Sequence, residues 1–163
     1  MATVLLLASF GTWGYVYSGF ADRPPPDLLS SPTYATEAEQ VCAAAVADVA
    51  AMPDALEATD GTERSEQIQA STERFRQMLL DLTALVDREA AGDQRDVEIL
   101  NGWLADWWVL IGDRETYADA IAADPDAQFY LTDTGAGERL DRRISRMADT
   151  NEMYSCGTPE DVG

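Results

Sequence analysis

The chain has 163 residues, with 30 acids against 11 bases and no His, for a formal net charge of −19. Its length and 46% hydrophobic content suit one globular domain. Every base is Arg, which excludes Ser-His-Asp and Cys-His catalysis, imidazole metal sites, lysine Schiff bases and a P-loop lysine, while so acidic a surface repels nucleic acid.

Residues 1–21 carry no charged side chain and approach the roughly 20 apolar residues that a helix needs to cross a bilayer. Two readings compete: a signal peptide cleaved after Gly19-Phe20-Ala21, which would make the protein secreted, or an uncleaved transmembrane anchor. Trp13, Tyr15, Tyr17 and Phe20 crowd one end of the run, where aromatic rings favour the headgroup layer, so the anchor is the expectation. Cell-membrane attachment with the rest of the chain outside the cytoplasm follows from it. Residues 22–33, with three consecutive prolines, predict an extended Pro-rich stalk.

Residues 34–156 predict an all-α, antiparallel bundle of about four helices. In the first, Thr36 and Glu39 have capping-box spacing, and Val41, Cys42, Ala45, Val46, Val49 and Met52 form one apolar face. The second runs from about Glu63 to Arg88 on a stripe of Ile68, Phe75, Leu79, Leu82 and Val86. Asp93 caps a third, Trp-rich helix that continues to Asp124-Pro125. Its Ile99 to Ile111 stretch is too short for a second membrane span, and Asp106 lies inside it. Residues 126–132 read as a short extended segment, an edge strand or hairpin arm. A fourth helix starts near Glu138 and turns Leu140, Ile144, Met147 and Ala148 inward, and residues 157–163 form a polar C-terminal tail.

Cys42 and Cys156 are the only cysteines. In an exported domain an even pair reads as a disulfide joining the first helix to the end of the bundle, and in a cytosolic one as two buried thiols. The anchor favours the disulfide.

Most chemical motifs give way to simpler readings. Asp133-Thr134-Gly135 spells the aspartic-protease triplet, but that chemistry needs two such aspartates on β-rich lobes, so a turn is expected. Gly135-Ala-Gly137 lacks the βαβ setting of a phosphate loop. Asp93, Asp96 and Glu98, or Asp124, Asp126 and Asp133, do not reproduce a calcium loop, and no metal or cofactor is implied.

Arg114 stands apart. At about 100° per residue it falls on the same arc of the third helix as Trp103, Trp107, Leu110 and Ile111, with no acid three or four residues away. A buried Arg needs a partner. One reading is a tertiary ion pair with Asp141 or Asp149 and a Trp on its flank. The other is an anion-recognition pocket with Arg114 as donor fork and Trp107, Tyr117 and Asp106 as its walls.

The strings Trp103-Leu-Ala-Asp-Trp107, Asp113-Arg114-x-x-Tyr117-Ala118 and Asn151-x-Met153-x-Ser155-Cys156-x-x-Pro159 resemble an uncharacterised group of membrane-anchored extracytoplasmic proteins of high-GC actinobacteria. A Lys-free, Ala-rich, acidic composition fits such a source. The resemblance spans most of residues 34–163 and implies an exported helical domain, with no activity, cofactor or catalytic residue attached.

Three functions follow as expectations. The first is a non-catalytic module, anchored in the membrane, that binds an envelope protein or senses a ligand. The second is small-molecule or anion binding around Arg114, and the third a carboxylate-only hydrolase using Asp106. The first is the main reading, and the sequence sets no oligomeric state.

Overall fold

The computed structural model describes residues 24–90, 92–135, 137–159 and 161. The expected anchor over residues 1–21 lies outside them, and no helix among the described residues is long and apolar enough to cross a membrane. Four helices carry the fold: α1 Pro32–Ala50, α2 Gly61–Leu85, α3 Gln94–Ala123 and α4 Leu140–Thr150. A π-helical turn, Val86–Ala90, follows α2, and a 3-10 turn, Tyr154–Cys156, follows α4.

Cross-helix pairs fix the directions. Arg88 reaches Glu37 at one end of the α1–α2 pair, and Arg74 reaches Asp48 at the other, so α1 and α2 are antiparallel. Gly61 at the start of α2 lies against the Ile121 carbonyl at the end of α3. On the far side of α3, Trp103 Nε1 donates to the Ile144 carbonyl at 3.1 Å and Asp106 pairs with Arg143, which sets α4 antiparallel to α3. The 30 residues of α3 span about 45 Å, long enough to touch α2 and α4 together.

One core joins all four helices, from Tyr34 and Cys42 of α1 through Phe75 and Leu79 of α2 and Leu100 and Trp107 of α3 to Ile144 of α4. A smaller cluster of Ala55, Ile68, Tyr117, Ala118 and Ile121 closes the end where α2 begins and α3 stops. The anticipated helical periodicity therefore holds, and so does the disulfide. Cys42 and Cys156 are bonded, both fully buried, across a sequence separation of 114.

Several expectations are corrected. Residues 126–132 form no strand among the described residues; Thr132 instead donates its N–H and hydroxyl to the Asp113 carboxylate, at 2.8 and 2.6 Å. Thr36 caps nothing. The N-cap is Ser31, with Pro32 at the first helical position, where a proline loses no hydrogen bond. Thr36 lies inside α1 and donates back to the Pro32 carbonyl, while Glu39 accepts from the N–H and hydroxyl of Ser155.

The stalk does not stand clear of the bundle over its described part. Arg95 donates to the Pro26 and Leu28 carbonyls, and the Leu29 N–H donates to Asn151 Oδ1. The N–H groups of Ser30 and Ser31 donate to the carboxylate of Asp96, a fully buried residue. Residues 26–31 are thus part of the folded domain: the carbonyls of Pro26, Asp27 and Leu28 accept from Arg95 and Asn151, and the N–H groups of residues 29–31 donate to Asn151 and Asp96.

Candidate functional site

Arg114 is fully buried, and α2 supplies most of its surroundings. Its Nε–H donates to Thr72 Oγ1 at 3.0 Å and its Nη2 to Ser71 Oγ at 2.7 Å. The guanidinium also lies 5.2 Å from the centroid of the Phe75 ring, within cation–π range. Residues 71, 72 and 75 share one face of α2 through their three- and four-residue spacing.

The acid that answers this charge is Asp161, not Asp141 or Asp149. Asp161 accepts two parallel bonds, Nη1 to Oδ1 at 2.6 Å and Nη2 to Oδ2 at 2.8 Å. This is the bidentate fork that suits Arg to a carboxylate. Burial pushes the Asp161 carboxyl up, but the hydrogen bonds and charge of Arg114, helped by Ser71, outweigh it and hold the group below the ordinary carboxylate value. Asp141 is taken by its neighbour Arg139 at 2.9 Å. The flanking ring is Phe75 rather than a Trp.

The other residues assigned to the pocket are not brought to Arg114's polar side. Trp107 is fully buried against Phe75, with ring centroids 6.1 Å apart, and its indole N–H has no hydrogen-bond partner among the described residues. Tyr117 packs on Phe129, centroids 5.5 Å apart, with the Arg64 guanidinium 5.7 Å from its ring. Asp106 faces α4, where Arg143 grips both of its oxygens through Nε and Nη2. That pairing raises Arg143. Of the four, only Arg114 borders the groove described next.

That groove encloses about 720 Å³ and is lined by Leu56, Leu110, Phe129, Leu131 and Pro159, with Arg114 in its wall and the Arg139–Asp141 pair at its edge. Its apolar rim is open to water: Leu56 is 54% and Tyr130 74% exposed. Thr158 and Pro159, from the part of the chain read in the sequence as a polar tail, also line it. Thr158 is tied to Ser145 of α4 through its N–H and its hydroxyl.

Four of the six acids weighed as calcium ligands, Asp96 among them, accept from backbone N–H groups. Asp93 caps α3, Asp124 accepts from the Asp126 N–H, and Asp133 accepts from the Gly135 N–H. Among the described residues, no group of three or more acids or thiols could hold a metal ion. Sequence reasoning missed Asp161, Ser71, Thr72 and Asp96. Asp96 sits three residues after the capping Asp93, but its partners, Ser30 and Ser31, are 66 and 65 residues away.

No family model, no curated protein and no solved structure matches the chain.

Proposed function

We propose that this chain is a non-catalytic sensing or protein-interaction module of the cell envelope, held at the membrane by residues 1–21 with its helical bundle outside the cytoplasm. The observation that carries this reading is the Cys42–Cys156 disulfide, which ties α1 to the turn after α4 across nearly the whole bundle. Structural disulfides of this kind persist in oxidising compartments and are rare where thiols are kept reduced. The uncharged, aromatic-ended run of residues 1–21 supports the same placement. The acidic surface favours a basic partner, and a complex with one weakens as salt rises.

The experiment is an intact-mass measurement on full-length protein extracted from membranes without reductant. The expected species is uncleaved and about 2 Da lighter than the dithiol, from the two hydrogens lost on oxidation. Recovery of a reduced chain, or of a shortened one in the soluble fraction, overturns the anchored envelope placement.

A further inference from the structure

Thr158, Pro159 and Asp161 line grooves on either side of the Arg114 fork. On one side lies the 720 Å³ groove, with Arg114 in its wall. On the other lie two smaller grooves of about 310 and 530 Å³, both lined by Val49 and Ala50 and both with Asp161 in their walls. Thr158 and Pro159 border grooves on both sides.

We propose that the Arg114 region is a binding site for an amphipathic monocarboxylate, an aliphatic chain ending in a carboxylate, whose head replaces the Asp161 carboxylate and whose chain lies along Leu56, Leu110, Phe129 and Leu131. The two halves of the fork behave differently. Ser71 and Thr72 belong to α2 and keep the guanidinium aimed whatever occupies it. Asp161 belongs to no helix, and its side chain is 25% exposed. One carboxylate exchanging for another leaves the buried charge neutralised throughout, so exchange avoids the cost of an unpaired cation.

The groove's walls select the rest of the ligand. Apart from Arg114, the charged residues along it are Arg139 and Asp141, and these satisfy each other. Apart from Thr158, what remains is aliphatic and aromatic surface, with Leu56 and Tyr130 facing water until something covers them. A concave, mostly apolar groove with a single oriented polar fork is the usual design of a small-ligand site. Cys156, five residues before Asp161, stays fixed by the disulfide. A displaced Asp161 therefore remains close by as a competitor, at an effective concentration on the order of millimolar.

The inference rests on the Arg114 geometry and stands apart from the envelope placement, which the mass and fractionation measurement tests. Its own test uses the full chain with the disulfide intact, titrated calorimetrically with dodecanoate below its micelle concentration and, in parallel, with dodecanol. Dodecanoate is expected to bind one per chain, and Asp161→Asn, which keeps the shape of the competitor and removes its charge, to bind it at least about tenfold more tightly. Dodecanol is expected to bind weakly to both. Should Asp161→Asn not fold, NMR of the wild-type chain gives the answer: dodecanoate must shift the Arg114 Nε–H and the Gly157 and Thr158 amides. Equal affinity for the two chains, equal binding of dodecanol, or shifts confined to other residues overturns the proposal. Binding of an acetylated Thr-Pro-Glu-Asp peptide without binding of dodecanoate also overturns it, and assigns the fork to acidic peptides.

Discussion

Arg114 and Asp96 are the two fully buried charged residues among those described, and each holds a segment that no helix includes. Removing a partner from a buried ion pair leaves the other charge stranded, so Arg114→Ala is expected to cost about 3–5 kcal/mol, read as a shift of the urea midpoint. Arg114→Met fills the same space without a charge and should cost less. Asp96→Ala deletes charge-assisted bonds to two backbone N–H groups, with an expected loss of about 3 kcal/mol and faster hydrogen exchange at the Ser30 and Ser31 amides. For Asp161 the folded value lies below the ordinary 3.8. Its latch is therefore at full strength above that pH, and is lost as pH falls through the lower, folded value. Acid titration followed by the Thr158 amide signal should show this loss below pH 3.8 in the wild type and none in Asp161→Asn.

Glycine roles separate cleanly along the helices. A Cβ on Gly61 would lie 2.3 Å from the Ile121 carbonyl oxygen, a distance that forces α2 and α3 apart. Gly61→Ala is expected to destabilise by about 1–3 kcal/mol although Ala is the better helix former. Gly102 is an exposed residue of α3, and a Cβ there meets nothing within 4 Å, so Gly102→Ala should stabilise by about 1 kcal/mol. Thermal unfolding of the two variants side by side checks both signs. The start of α2 illustrates local legibility. Asp60 accepts from the Glu63 N–H, while Glu63 accepts from the N–H and hydroxyl of Thr59. These bonds lie within four residues of one another, and the hydrogen bonds from Thr59 lower the Glu63 carboxyl. At α1 the same kind of local signal misled, because Thr36 and Glu39 have capping spacing while Ser31-Pro32 supplies the real start.

Across the whole molecule the disulfide acts on the unfolded chain. Closing a loop with a sequence separation of 114 restricts that chain by about 4–5 kcal/mol in the entropy account. Replacing both cysteines by Ser is therefore expected to lower the melting temperature by roughly 10 °C or more, checked by calorimetry. The same bond lies two residues before Thr158, so its loss should also raise hydrogen exchange at Thr158.

The sequence by itself determined the helical class, the approximate extent of four helices, their inward faces, which two cysteines could pair and the inward placing of Arg114. Each of these is written in residues three or four apart, or in a pair with no alternative partner. Tertiary structure alone decided that Asp161 answers Arg114 from 47 residues away, with Thr72 and Ser71 at 42 and 43, and that Asp96 gathers in residues 30 and 31. Any of the 30 acids could have met that guanidinium on charge alone. The choice depends on where α2 brings its hydroxyls, and on where the disulfide returns the chain after α4, and neither leaves a periodic trace in sequence.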